Sequence, residues 1–219
     1  MADAETTPSA RFRARLLEVF PSHAARLGWS DAALKAAAEE AGLGAGEAAL
    51  ACPRGAVDLM ESFTDRADRD MLEALQALNL PAMKIRQRVK AAVQLRLEAQ
   101  APYKEAARAM TRALARATRA PEAARLLWRT ADRIWRALGD TSTDENFYSK
   151  RAILSGVLAS TYALWFSDDS EDQAPTWAFL EARIENVMQF EKFKAGLKPL
   201  SETVQTAIGV AARFRYGGS

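Results

Sequence analysis

Apolar positions recur at helical spacing along almost the whole chain. Phe12, Leu16, Leu17 and Phe20 share one face of a helix read from Pro8 to Phe20. Pro21 is expected to break or restart it, and Ser22 to Leu27 runs on to Gly28. Ser30 caps a second helix, Asp31 to Ala41, which Gly42 closes, and Gly44 to Cys52 forms a short third piece. After the turn Pro53-Arg54-Gly55, a long helix extends from about Val57 to Leu78. Pro81, Pro102 and Pro121 open the next three helices, Ala82 to about Ala99, Tyr103 to about Ala117, and Glu122 to Leu138. Pro175 opens another, with Trp177, Leu180, Ile184, Val187 and Met188 on one stripe. A last amphipathic segment follows Pro199. Leu200, Val204, Ile208 and Phe214 align there, and the segment either packs on the body, swaps onto a second copy, or lies on a membrane.

One stretch departs from this pattern. From Ala152 to Phe166 there is no charge. About 15 residues is too short to span a bilayer, which takes roughly 20. A helix apolar on nearly all sides reads instead as the central helix of a bundle. Its Ser155, Gly156, Ser160 and Thr161 allow close approach, either of neighbouring helices or of a ligand between helices. Gly139 marks the end of the preceding helix, and Ser142-Thr143-Asp144-Glu145 fits a capping box that starts this one.

Composition fits an all-α chain, rich in Ala, Leu, Arg and Glu. The formal net charge is +2, so global charge points to no nucleic-acid partner. Locally the balance differs. Lys84 to Arg136 holds 14 basic residues against 4 acids, with rows at Arg108, Arg112, Arg116 and at Arg125, Arg129, Arg133, Arg136. These rows either pair with the acidic helix around residues 58–73 or face lipid headgroups or an acidic partner.

The succession of three short helices and a long connector resembles the N-terminal part of TetR-type regulators. Trp29 to Cys52, however, contains one base, Lys35, against Asp31, Glu39, Glu40 and Glu47. That balance suits a helix-turn-helix scaffold without DNA binding. Catalytic chemistry is equally poorly supplied. One His (His23) and one Cys (Cys52) exclude paired Glu-x-x-His di-iron motifs and an intramolecular disulfide. The Asp140 and Asp168 runs fail as calcium loops, and there is no P-loop or GxGxxG motif. The expectation is a non-enzyme without cofactor or metal. The acidic start, MADAETTPSA, has no apolar or Arg-rich leader pattern.

At the corner, Asp144, Phe147, Tyr148 and Arg151 share one helical face, which is either a protein-docking patch or a cap with two inward aromatics. The run Asp132-x-Ile134-Trp135-x-x-x-Gly139-Asp140-Thr141-Ser142-Thr143-Asp144-x-Asn146-x-Tyr148-x-Lys150-Arg151 is distinctive. With Thr176-Trp177-x-Phe179-Leu180-x-x-Arg183-Ile184 and the upstream Gly28-Trp29 and Pro53-Arg54-Gly55-x-x-Asp58-Leu59, it resembles the lipid-binding accessory proteins of coenzyme Q (ubiquinone) biosynthesis. The resemblance spans roughly Gly28 to Val187.

The resemblance implies a TetR-like all-α homodimer that binds an isoprenoid lipid in an internal pocket. Such a protein presents a ubiquinone precursor to a membrane-bound di-iron hydroxylase. Carried over, the partner surface is Asp144, Phe147, Tyr148 and Arg151, with Phe147 standing where the family usually has Trp, and Leu200–Tyr216 is the membrane-binding helix. Candidate lipid-contacting residues are Leu154, Val157, Leu158 and Trp165 on the uncharged helix, with Trp135 and Trp177 nearby. The expected organisation is a disordered tail (1–7), a vestigial helix-turn-helix part (8–55), a ligand-binding helical part (56–197) and the C-terminal segment (198–219). The expected location is the bacterial cytoplasm, peripheral to the inner membrane. A TetR-type regulator sensing a hydrophobic ligand is the alternative, and a plain helical scaffold is a third.

Overall fold

The computed structural model describes residues 7–143, 145–187 and 189. Every regular element among them is helical: α1 (Pro8–Leu27), α2 (Asp31–Glu40), α3 (Ala45–Ala51), α4 (Ala56–Gln76), α5 (Ile85–Glu98), α6 (Lys104–Leu114), α7 (Ala120–Ala137), α8 (Glu145–Trp165) and α9 (174–187). The chain is all-α, as its composition predicts. Of the tail expected at residues 1–7, residues 1–6 lie outside the described residues, while Thr7 caps α1 by accepting from the Ala10 amide at 3.2 Å. Asp144 and the whole C-terminal segment, with Leu200, Val204, Ile208 and Phe214, also lie outside them. No described helix is long and apolar enough to cross a membrane, and no described group of side chains could hold a metal ion.

Pro21 does not break α1, which continues to Leu27 with Pro21 buried inside it. A proline in a helix frees the carbonyl four residues back. Here that carbonyl, on Leu17, accepts from Arg66 Nη1 of α4 at 3.2 Å, so the interruption is repaired from another helix. Pro81 and Pro102 sit in short 3-10 turns, Leu80–Ala82 and Ala101–Tyr103, just ahead of α5 and α6. Helix α5 therefore starts at Ile85 rather than at Ala82.

The first three helices are joined to the rest through Trp29. Its ring packs edge-on to Phe20 (4.9 Å between centroids) and Phe63 (5.4 Å), and Phe63 meets Tyr103 at 6.2 Å. The indole N–H donates to the Ala106 carbonyl of α6 at 2.8 Å. The Pro-Arg-Gly-x-x-Asp stretch is a turn lock, since Asp58 accepts from both the Arg54 amide and its guanidinium at 2.8 Å. Cys52 is buried among these elements, and burial pushes its thiol up to about 11, leaving it uncharged near neutral pH.

The basic row of α7 pairs with the acidic face of α4. Arg125 meets Glu61, Arg129 meets Asp65 (2.9 Å), and Arg133 bridges Asp65 (2.5 Å) and Asp68 (2.8 Å). Arg112 and Arg116 of the α6 row remain exposed. Deeper in, Asp68 is fully buried and accepts from Arg96 Nε at 2.6 Å and from the Thr130 hydroxyl at 3.1 Å. Arg96 itself is 3 % exposed. This pair ties α4, α5 and α7 together.

Helix α8 differs from its expected place as an all-round buried helix. Leu154, Val157, Leu158, Thr161 and Trp165 are buried, whereas Ala152, Gly156, Ala159 and Ala163 are exposed. Those four small residues form their own stripe at helical spacing. Lack of charge marks a face suited to close contact, but does not require that contact to come from the same chain.

Candidate functional site

The corner between α7 and α8 is built by the residues of the distinctive run. Gly139 takes φ +85°, a conformation open to glycine. It lets the Gly139 and Asp140 amides fold back onto the carbonyls of Arg136 (3.0 Å) and Trp135 (2.9 Å), the paired bonds of a Schellman cap. That cap delivers Asp140 under the start of α8. Asp140 accepts from Lys150 Nζ (2.6 Å), the Ser142 hydroxyl (2.8 Å) and Arg151 Nη1 (3.0 Å). Burial alone would raise the Asp140 carboxyl, but the hydrogen bonds from Lys150, Ser142 and Arg151 outweigh it and hold the group well below the usual carboxylate range. Ser142 therefore does not play its expected capping role. It is bound to Asp140 and Lys150, and α8 begins three residues later at Glu145.

Arg151 also departs from the expected docking face. It is 1 % exposed. Its Nε donates to Asp132 at 2.7 Å and its Nη1 to the Phe147 carbonyl at 3.1 Å. Its guanidinium lies 3.6 Å from the Phe147 ring centroid, within cation–π range. Arg151 thus braces the corner from inside, and a helix face that looks continuous in sequence is split between interior and surface.

The outer surface carries Phe147 and Tyr148 in edge contact at 5.1 Å, with Tyr148 63 % exposed. Trp128 of α7 completes the group at 6.5 Å from Phe147 and 6.2 Å from Tyr148. Sequence reasoning missed Trp128. It lies 19 positions from Phe147, on the preceding helix, and no spacing pattern in the sequence links the two.

Behind this corner lies a cavity of about 400 Å³ between α5, α7, α8 and α9. Trp135, Leu154 and Val157 line it, together with Val89, Ile153 and Ile184. Its polar lining is Arg86, Asp140, Asn146, Ser149 and Lys150. The Trp135 N–H donates to the Lys150 carbonyl at 3.0 Å and so holds the indole in the wall. Leu158 lines a different cavity, between α4, α5, α6, α7 and α8. Trp165 and Trp177 line neither. Trp165 is wholly buried, with its N–H on Gln173 at 2.8 Å, and Trp177 packs half-buried on the core. The structure therefore brings together three of the six candidate lipid contacts. At the other end of α8, Asp168 accepts from the side chains of Ser170 and Thr176 at 2.5 Å each. Those bonds hold its carboxyl down to about 2 and fix the turn into α9.

Comparison with known proteins adds to this geometry. Residues 120–191, which contain the corner and most of the cavity wall, match the COQ9 family model. The rat ubiquinone biosynthesis protein COQ9, mitochondrial, is 30% identical over 206 residues, covering 91% of this chain and 65% of that protein. Its human counterpart is 29% identical (91% and 64%), and that of Drosophila melanogaster 26% (95% and 65%). The chain thus spans just under two thirds of the length of these relatives. A crystal structure of a TetR transcriptional regulator from Nitrosomonas europaea superposes with a TM-score of 0.65 at 20% identity, covering 80% of this chain and 97% of that one. At that identity the likeness concerns the fold.

These relatives correct the expected bacterial cytoplasmic location at an inner membrane, because each is named as a mitochondrial protein and comes from a eukaryote. They agree with the resemblance read from the corner itself: residues 120–191 are similar to the COQ9 family model, and they lie within a TetR-like all-α fold.

Proposed function

We propose that the protein is a non-enzymatic accessory factor of ubiquinone biosynthesis that binds an isoprenoid or quinone lipid and presents a ubiquinone precursor to a membrane-bound hydroxylase. The observation that carries this reading is that the first turns of α8 contribute both to the wall of the 400 Å³ cavity, through Asn146, Ser149, Lys150 and Ile153, and to the Trp128–Phe147–Tyr148 group. The volume falls within the roughly 300–1,000 Å³ of ordinary ligand pockets. Its lining combines an apolar wall, with Val89, Trp135, Leu154, Val157 and Ile184, and a polar side that includes Asp140, Asn146, Ser149 and Lys150, as an amphiphile requires. Lipid extraction and native mass spectrometry of the purified protein should show a co-purifying prenylated ring compound, and Leu154→Trp should reduce its occupancy severalfold. Protein that carries no lipid and gains no thermal stability from isoprenoid quinones would defeat the reading.

Docking is assigned to the exposed aromatics, with Arg151 positioning Phe147 from beneath. Tyr148→Ala should weaken binding to the ubiquinone-pathway hydroxylase of the same organism about tenfold, as loss of an aromatic hot spot does. The melting temperature should move by less than about 2 °C, since Tyr148 is mostly exposed. A large fall in melting temperature with unchanged hydroxylase binding would instead make Tyr148 a packing residue.

A second copy of the chain is assigned to the exposed small-residue face of α8. A Cβ at Gly156 would meet no neighbour within 4 Å, so Gly156→Arg should leave the fold intact and halve the mass measured by sedimentation. Wild-type protein that sediments as a monomer would remove this part of the proposal.

A further inference from the structure

The two arginine rows have different fates in the fold. Arg125, Arg129 and Arg133 of α7 meet Glu61, Asp65 and Asp68 of α4. The row on α6 finds no such face. Arg108 meets Glu105 of its own helix at 3.3 Å and donates to the Phe166 carbonyl. Beyond it, the side chains of Arg112, Arg116 and Arg119 make no hydrogen bond or ion pair among the described residues. Arg112 and Arg116 are exposed, and Arg119 is half-buried. Thr111 to Pro121 contains these three bases and no acid. A helix end favours a cation in its last turn, which accounts for Arg112. It does not account for Arg116 and Arg119, which follow the end of α6.

The chain supplies no counter-charge from nearby. Glu122, at the start of α7, is already bound to Arg125 at 2.5 Å. The acidic turn 168–172 adjoins the other end of α6, where Lys104 Nζ donates to the Asp168 carbonyl at 2.6 Å. From Lys104 to Arg112 the helix rises about 12 Å, more than the screening length of about 8 Å at physiological salt. Residues 190–219 carry Lys192, Lys194, Lys198, Arg213 and Arg215 against Glu191 and Glu202, so they bring charge of the same sign. A basic cluster left unmatched in this way is a footprint for an anionic partner.

The residues between the arginines narrow the choice of partner. Thr111 and Ala115, each one position before an arginine, are exposed and also line the cavity of about 210 Å³ that Leu158 lines. Met110, Leu114, Leu126 and Leu127 make its walls apolar. The basic surface therefore borders the exposed edge of an apolar cavity. A nucleic acid or an acidic protein would answer the charge alone. A bilayer of anionic lipid answers both, with headgroups for the guanidinium groups and an apolar phase beneath them.

We propose that the link between α6 and α7, through Arg112, Arg116 and Arg119, docks on the headgroups of an anionic phospholipid bilayer. This face is separate from the Leu200–Tyr216 segment to which the sequence resemblance assigns membrane contact. It rests on the distribution of charge and does not depend on the accessory-protein reading.

The test is co-sedimentation of the full chain with vesicles of phosphatidylcholine alone, or of phosphatidylcholine and phosphatidylserine in equal parts. Wild type should bind the anionic vesicles at least about tenfold more tightly, and the difference should shrink as salt is raised. Arg112→Gln with Arg116→Gln should weaken that binding about tenfold or more, since each basic residue near such a surface is worth about fivefold. Its melting temperature should stay that of wild type, because both side chains are exposed. Arg112→Lys with Arg116→Lys should bind as wild type does, because attraction to headgroups follows charge. Arg11→Gln with Lys35→Gln removes the same charge from exposed positions on α1 and α2, and should change binding by less than about twofold. No preference of wild type for the anionic vesicles, equal losses in the two Gln pairs, or undiminished binding by Arg112→Gln with Arg116→Gln would overturn the proposal. Salt-sensitive binding to a random DNA duplex without binding to the vesicles would also overturn it, and would assign the arginines to a nucleic acid.

Discussion

Asp68→Ala is expected to destabilise the protein by about 3–5 kcal/mol, the usual cost of stripping one partner from a buried ion pair. For a chain of this size that corresponds to a fall in melting temperature of about 10 °C. The cause is the Arg96 guanidinium, which would stay in the interior with Asp68 gone. Thr130 would lose its acceptor, and Arg133 one of its two, in the same step. Urea denaturation followed by circular dichroism measures the loss. The double change Asp68→Leu with Arg96→Met should recover most of it, because replacing both charges by apolar groups removes the unmatched ion. A single Asp68→Ala variant within about 0.5 kcal/mol of wild type would mean that water already reaches Arg96.

Arg151→Met should have the next largest effect, about 3 kcal/mol. It removes the cation that Asp132 and Asp140 share, and it removes the support under the Phe147 ring. Arg151→Lys should rescue little, since a single ammonium cannot reproduce a fork that reaches Asp132, Asp140 and the Phe147 carbonyl together. The acid limb provides an independent check. The folded pKa of Asp140 is depressed, so its contribution is fully present above its unfolded value of about 3.9 and is lost as pH falls through the folded value. Removing Arg151 takes away one of the groups that depress it. Acid unfolding of Arg151→Met should therefore begin at a higher pH than in wild type. An unchanged acid midpoint together with unchanged stability would rule out this role for Arg151.

The helices were legible in the sequence wherever a stripe of large apolar residues recurred at helical spacing, as in α5 and α9. The α4–α7 charge pairing was also open to reading, because the acidic and basic rows have matching periods. Elements decided by distant partners were not legible. Pro21 reads as a break until Arg66, 45 positions on, takes up the freed Leu17 carbonyl. Arg151 shares a helical face with Tyr148 by spacing alone, yet two carboxylates from the α7 side draw it inward while the tyrosine remains outside. Much of the distinctive run is consequently a structural lock, with Asp132, Gly139, Asp140, Ser142, Lys150 and Arg151 bound to one another or shaping the turn. For the candidate lipid site, Trp135, Leu154 and Val157 reach one cavity. Trp165 and Trp177 were drawn in by the size of their side chains, a property that plain core positions share. The polar lining of the cavity beside Leu158 could not be seen at all, since Thr64 comes from α4, Gln100 from the turn after α5 and Tyr162 from α8.

The clasp at Trp29 bears on what the first three helices can do. Any pivot of that head against the body would have to withdraw the indole N–H from the Ala106 carbonyl and open the Trp29–Phe63 contact at the same time. An orphaned buried donor alone opposes such a swing by about 1–3 kcal/mol. Occupancy of either cavity therefore has no loose lever at this joint through which to signal. The head is a fixed buttress, and α6, which carries the acceptor for Trp29 and lines the cavity beside Leu158, is held to it.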